Sequence, residues 1–172
     1  MTLQVARVVA TFGRHSLVRE ASAADAPLRV ATRRGKKGDV VVGDLVHCSV
    51  VGEQAAIESI APRRSLLFRA DEFRTKELAA NIDQVAIVFA PRPPFNPHFL
   101  WRALLAARAA SIDALLVLNK SDVADGLPLA QAALDQGRAL GVQTLALSAK
   151  AAPDDARARF AQATVGRATL LV

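Results

Sequence analysis

The chain has 172 residues, of which 52% are hydrophobic and 22% charged, and its formal net charge is +6. These totals allow one or two packed domains, exclude a disordered chain and favour a polyanionic partner. A single cysteine, Cys48, excludes an internal disulfide, and His15, His47 and His98 lack zinc-ligand spacing with it.

The first 64 residues read as short strands. "VARVVATF" and "HSLVREA" alternate around Gly13, and "PLRVATR" continues the pattern. "RRGKKGDVVVGDLVHCSVV" supplies a basic turn, a β-branched run, a Gly-Asp turn and another strand; "QAAIESIAP" closes the series. Five such strands with regular turn signals predict a small all-β barrel of the OB type over 1–64, with an SH3-like barrel as the competitor that strand counting does not remove. Residues 65–81 mix charge with isolated apolar residues and read as a linker.

From residue 82 the pattern changes. "IDQVAIVFA" reads as a buried strand, and Asn96-Pro97 as an N-cap and first helical residue. "HFLWRALLAARAAS" is helical and "IDALLVL" a second strand. "LPLAQAALDQGRAL" is a helix stopped by Gly141, and "VQTLALS" a third strand. "PDDARARFAQATVG" is a third helix with acidic residues in its first turn, and "ATLLV" a fourth strand. Alternating strands and helices predict a partial α/β domain with a parallel sheet over 82–172. Trp101, Phe95 and Phe99 are expected in its core, and Cys48 as a small buried hydrophobe in the barrel.

Parallel sheets bind ligands beyond the carboxyl ends of their strands. Asn119-Lys120-Ser121-Asp122 follows the second strand and Ser148-Ala149-Lys150 the third, so both loops should emerge on one side. Their chemistry suits guanine. A carboxylate, Asp122, accepts the adjacent N1–H and 2-amino donors in a fork, whereas adenine would set a lone pair against it. The Asn119 amide reaches the N7/O6 edge and ties neighbouring loops together. The stems of Lys120 and Lys150 cover the two faces of the base, the Ala149 N–H donates to O6, and Ser148 holds its loop. A polar tetrapeptide after a strand is also an ordinary turn and helix cap. The two motifs together favour the guanine reading.

These motifs resemble the fourth and fifth G motifs of GTP-binding proteins. No P-loop, G-x-x-x-x-G-K-[ST], precedes Asn119; "RGKKGD" has the wrong spacing. With "RRGKKGDVVVGDLV", "PRRSLLFRAD", "LAANIDQVAIVFAPRPPFN", "LVLNKSD" and "LSAK" in order, the chain resembles the circularly permuted ribosome-biogenesis GTPases of the RsgA (YjeQ) family. The resemblance implies an OB domain followed by a GTPase domain of permuted motif order and a zinc-binding C-terminal domain. It implies GTP and GDP as ligands with Mg²⁺, hydrolysis stimulated by the small (30S) ribosomal subunit, action late in its assembly, and 16S rRNA contact by the barrel. In that family the P-loop follows "ATLLV", and these 172 residues contain none. The chain is accordingly read as a fragment that binds GTP weakly or undetectably and does not hydrolyse it. No catalytic residue and no metal site is assigned, and zinc is expected only in the missing domain.

The barrel half carries a net charge of +4 against +2 for the remainder. Arg33, Arg34, Lys36 and Lys37 cluster in one turn, which suits phosphate contacts with structured RNA. Phe12 is the only aromatic residue before Phe68, so base stacking on the barrel is not expected. No signal peptide or membrane-length apolar run is found, so a cytoplasmic protein without membrane or DNA partners is expected. A non-catalytic RNA-binding module with a scaffold α/β half, and an unrelated α/β enzyme in which NKSD is coincidental, remain open.

Overall fold

The computed structural model describes residues 3–23, 25–33, 40–52, 54–70 and 75–172. The chain forms two compact units, Met1–Asn81 and Ile82–Val172.

In the first unit, β1 (Leu3–Phe12), β2 (His15–Glu20), β3 (Arg29–Arg33), β4 (Leu45–Val51) and β5 (Gln54–Ile60) close into a barrel in the order β1-β2-β3-β5-β4. β1 and β2 turn at Gly13, whose φ of +61° suits a residue without a side chain. β3 and β5 run parallel, and β4 closes antiparallel on β1. This order makes the barrel OB-like and removes the ambiguity left by strand count. The interior is built from small residues because a five-stranded barrel has little room: Ala6, Val8, Val18, Ala31, Val46, Cys48, Ala55 and Ile57. They occupy alternate positions along each strand, and a bulge between Val8 and Ala10 shifts the alternation in β1. Cys48 is buried as expected, and desolvation followed by the Glu58 charge pushes its thiol pKa up.

The segment expected as a linker is structured. β6 (Leu66–Ala70) and β7 (Thr75–Ala80) form an antiparallel hairpin within the first unit. A bulge between Leu67 and Phe68 breaks its alternation, which hides it from a periodicity reading. Polar contacts fasten it to the barrel. Asp44, fully buried, accepts from the Val41 N–H at 2.9 Å and from Arg63 Nε and Nη2 at 2.8 and 2.9 Å. Arg63 Nη1 donates to Glu77 at 2.7 Å. The Asp44 hydrogen bonds, against the opposing cost of burial, raise the Arg63 pKa above its ordinary value. Asn81 accepts from the Arg64 N–H at 2.8 Å and donates to the Gly43 carbonyl at 3.1 Å. Gly43 is required there: a Cβ would stand 1.9 Å from the Ala80 carbonyl oxygen. The β-branched run before it makes only an isolated bridge, Val42 with Ala79.

In the second unit, β8 (Gln84–Phe89), α1 (Pro97–Ala109), β9 (Asp113–Leu118), α2 (Leu127–Ala139), β10 (Gln143–Ala146), α3 (Pro153–Thr164) and β11 (Thr169–Leu171) alternate as expected. The sheet is parallel, in the order β10-β9-β8-β11. Asn96 caps α1, accepting from the His98 and Phe99 N–H groups at 2.9 and 3.4 Å. α1 and α2 pack along β8, β9 and β10. α3 covers the other face, where Ala156, Phe160 and Ala163 meet Ala86, Leu115, Val117, Leu145 and Leu147. β9 is buried on both faces, so "LLVL" shows no alternation. The carboxyl ends of β8, β9 and β10 lie together as the ligand-binding end of such a sheet. Phe95 packs on Phe89 with ring centroids 5.0 Å apart, and Trp101 is half-buried. Phe99, expected in the core, is 54% exposed in the first turn of α1, whose buried residues are Leu100, Leu104 and Ala107. No helix among the described residues is long and apolar enough to cross a membrane.

Asp44→Ala removes the acceptor of the Val41 N–H and of Arg63 Nε and Nη2, while Glu77 keeps Arg63 Nη1. It is expected to cost the first unit about 2–3 kcal/mol, read by urea unfolding followed at barrel amides. A loss below about 1 kcal/mol, the range of an exposed pair, would show that this network does not hold the hairpin.

Candidate functional site

The site is assembled by two loops at the carboxyl ends of adjacent strands. β9 ends at Leu118, and the Asn119 N–H donates to the Phe89 carbonyl at 2.8 Å, which extends the β8–β9 ladder by one bond. Lys120 then turns into the left-handed region at φ +58°, an uncommon conformation for a residue with a side chain. The loop after β10 is held alongside. The Leu147 N–H donates to Leu118 at 2.9 Å, and the Ser121 N–H returns a bond to Leu147 at 3.1 Å.

Side chains complete the junction. Asn119 Oδ1 accepts from the Lys120 N–H at 2.7 Å and from the Ala149 N–H at 3.1 Å. The Ser148 hydroxyl donates to Asp122 Oδ1 in a short hydrogen bond and accepts from the Ala151 N–H at 3.3 Å. Lys120 Nζ donates to the Arg92 carbonyl at 2.8 Å. Asn119 is half-buried and Ser148 buried, while Lys120, Asp122, Ala149 and Lys150 are exposed.

All six residues expected to read a base are thus brought to one end of the sheet. Two bonds differ from the expectation. The Ala149 N–H, assigned to a base oxygen, is engaged by Asn119, and Ser148 orients the Asp122 carboxylate as well as its own loop. Sequence reasoning missed Arg92 and Asp125, which form an ion pair beside the site at 2.6 Å. Asp125 lies just beyond the NKSD motif, and Arg92 sits 28 residues before Lys120, so no local pattern links them. A cleft of about 320 Å³ opens beside Asn119, lined by Phe89, Pro93, Phe95 and Phe99 among others. A larger groove of about 930 Å³ is lined by Trp101, Leu105 and Leu140 near the amino ends of β9 and β10, and none of the six residues lines it.

In the barrel, Arg33 ends β3 and is half-buried, with Nη1 withdrawn from solvent and without a hydrogen-bond partner among the described residues. Arg34, Lys36 and Lys37 lie outside the described residues. No cluster of three or more His, Cys, Asp or Glu side chains among the described residues could hold a metal ion. Among the described residues none forms a ligand set for zinc or for a carboxylate-held Mg²⁺.

The Asp122 carboxyl titrates below the ordinary carboxylate range. The Ser148 hydroxyl is the first cause, its own backbone N–H the second, and the Lys150 and Lys120 charges add to them against the opposing cost of desolvation. The pKa is depressed by folding, so its stabilising contribution is present above the ordinary Asp range and is lost as pH falls through the folded value. Ser148→Ala is expected to move the Asp122 midpoint upward, toward the ordinary range, in a carboxyl ¹³C titration. An unmoved midpoint would show that the hydroxyl does not set this carboxylate.

Residues 60–171 match the family model RsgA GTPase. The chain is 46% identical over 167 residues to the small ribosomal subunit biogenesis GTPase RsgA of Burkholderia pseudomallei strain 668, covering 96% of this chain and 52% of the relative. It is 43% identical over 168 residues to the protein of that name from Bordetella pertussis, covering 96% and 54%. The chain therefore spans about half the length of the curated relatives it matches. In fold it is similar to YjeQ from Thermotoga maritima, with a TM-score of 0.73 at 19% identity over 99% of this chain and 60% of that one. It is also similar to YloQ, a circularly permuted GTPase, with a TM-score of 0.71 at 20% identity over 99% and 60%. A family model matched over most of the chain, on the fold that carries both motif loops, makes this protein a member of the RsgA GTPase family.

Proposed function

We propose that the second unit is the guanine-reading part of a ribosome small-subunit-dependent GTPase, and that the barrel is its RNA-binding part. One observation carries the base reading: an exposed carboxylate, Asp122, is held by Ser148 next to Asn119 and Lys150 at the end where a parallel sheet binds ligands. A carboxylate has lone pairs for about four donors, so Asp122 can keep the Ser148 bond and accept the guanine N1–H and 2-amino group. Asn119 Oδ1 is saturated by two backbone N–H groups, which leaves its Nδ2 to donate toward N7 or O6. For the Ala149 N–H to reach O6 it must leave Asn119 or share its bond. Lys120 and Lys150 supply methylene stems for the two faces of the base.

Base contacts alone give little affinity for a triphosphate, which P-loop proteins hold through backbone N–H groups and a lysine around the phosphates. Residues 1–172 contain no sequence of that pattern. Mg²⁺ would accompany the nucleotide in a protein that also carries the P-loop. The relatives' names point to the small ribosomal subunit as partner. The net charge of +6 and the run of basic residues Arg33, Arg34, Lys36 and Lys37 in the sequence suit contact with its 16S rRNA, and a cytoplasmic location follows from that partner.

Purified residues 1–172 are expected to show no GTP hydrolysis; turnover above the buffer rate would overturn this. In a protein that also carries the P-loop, Asp122→Asn is expected to weaken guanosine nucleotides and favour xanthosine nucleotides, because the amide's N–H₂ pairs with the 2-oxo group of xanthine. Unchanged preference would remove Asp122 as the base reader. Neutralising Arg33, Arg34, Lys36 and Lys37 should flatten the salt dependence of 30S binding by roughly one unit per phosphate-contacting residue. An unaltered slope would move the RNA contact elsewhere on the barrel.

A further inference from the structure

The loop after β8 reads Pro91-Arg92-Pro93-Pro94. Each proline fixes its own φ and restricts the residue before it to extended backbone. Arg92 is therefore presented from a stiff segment with little backbone freedom left to lose. Three contacts tie this segment to the loop after β9. Arg92 Nε donates to Asp125 Oδ2 at 2.6 Å and Nη2 donates to Oδ1 at 2.7 Å, a two-pronged fork. The Arg92 carbonyl accepts from Lys120 Nζ at 2.8 Å. Gly126, at φ +80°, lies so close to Pro91 that a Cβ would stand 2.9 Å from its carbonyl oxygen.

An ion pair as exposed as this one, with side chains 47% and 69% accessible, adds little to stability. Its geometry is what matters. The fork pins the side chain of the residue whose carbonyl holds the Lys120 ammonium, and both of its ends belong to the two loops that this lysine bridges. Without it the carbonyl would be held by the prolines and the Gly126 contact alone, and the Lys120 ammonium would be held less firmly.

We propose that the Arg92–Asp125 fork is a positioning clamp for Lys120: it stations the lysine's methylene stem to cover a bound guanine, and thereby tunes nucleotide affinity rather than the stability of the fold. Arg92 and Asp125 do not touch the base. The inference rests on the guanine reading of the Asn119–Asp122 loop.

The test uses purified residues 1–172. Reductive methylation with formaldehyde, read lysine by lysine by mass spectrometry, reports how firmly each ammonium is held. Arg92→Ala and Asp125→Ala should each speed methylation of Lys120 about threefold and leave Lys150 unchanged. The double variant should be no faster than either single one, because one unit has been removed once. Unchanged Lys120 rates, or a double variant whose effect is the product of the two, would overturn the clamp. The same variants are then titrated with GMP, followed by amide chemical shifts. Affinity should fall about two- to fivefold with the melting temperature held, and unaltered GMP affinity would overturn the clamp's role in binding. Asp122→Asn separates the two claims. If GMP shifts ignore Asp122→Asn while Lys120 rates respond as stated, the clamp stands and the guanine reading has failed.

Discussion

The second unit depends on one constraint: two parallel neighbours, β9 and β10, must end level so that their loops can share hydrogen bonds. The bonds that enforce this are few. Leu147 and Leu118 join the backbones, Asn119 joins Ala149, and Ser148 joins Asp122. Asn119 Oδ1, the Ala149 N–H and the Ser148 hydroxyl are spent on this scaffold, which leaves Asn119 Nδ2 and the exposed Asp122, Lys120 and Lys150 side chains around it. A single-residue slip of β10 would turn every side chain on it to the opposite face. It would also carry Ser148 away from the carboxylate it orients. β9 itself is buried on both faces, and Gly137 of α2 lies so close to Leu116 of β9 that a Cβ would stand 2.2 Å from Cδ1.

The first unit follows a different rule. Its barrel is made from alanine, valine, isoleucine and cysteine, and its appended hairpin is fastened by buried charge. Asp44 takes three hydrogen bonds, two of them from Arg63, and Arg63 reaches on to Glu77. A fully buried carboxylate is tolerable only when its acceptors are filled in this way. Gly43 and Asn81 close the same junction from the other side. The Gly-Asp pair that reads as a turn in the sequence is therefore also an anchor.

The sequence carried much of this on its face. Alternation marked the barrel strands, uninterrupted apolar runs marked the buried parallel strands, and Asn96-Pro97 and Gly141 marked helix ends. Placing both motif loops at one end of the sheet followed from strand direction alone. What escaped was long-range or irregular. Residues 65–81 concealed a hairpin because a bulge spoils its period and because its partners, Asp44 and Arg63, lie outside the segment. Phe99 had the composition of a core residue, but its place at the start of α1 leaves it exposed. Ser148 was legible as a loop holder and not as a partner of Asp122, since hydroxyl orientation is set only in three dimensions. Strand order, which makes the barrel OB-like, is a property of pairing that no count of strands contains.

The central claim is that a carboxylate at position 122 meets two adjacent donors on a purine edge. It is tested most directly by titrating the purified chain with GMP, IMP and AMP and following the amides of Asn119, Asp122 and Ala149. At N1 and C2 GMP offers the carboxylate two donors, IMP one and AMP none, so affinity should fall in that order and the shifts should centre on those three residues. Equal affinity for the three nucleotides, or shifts that centre elsewhere, would contradict the account.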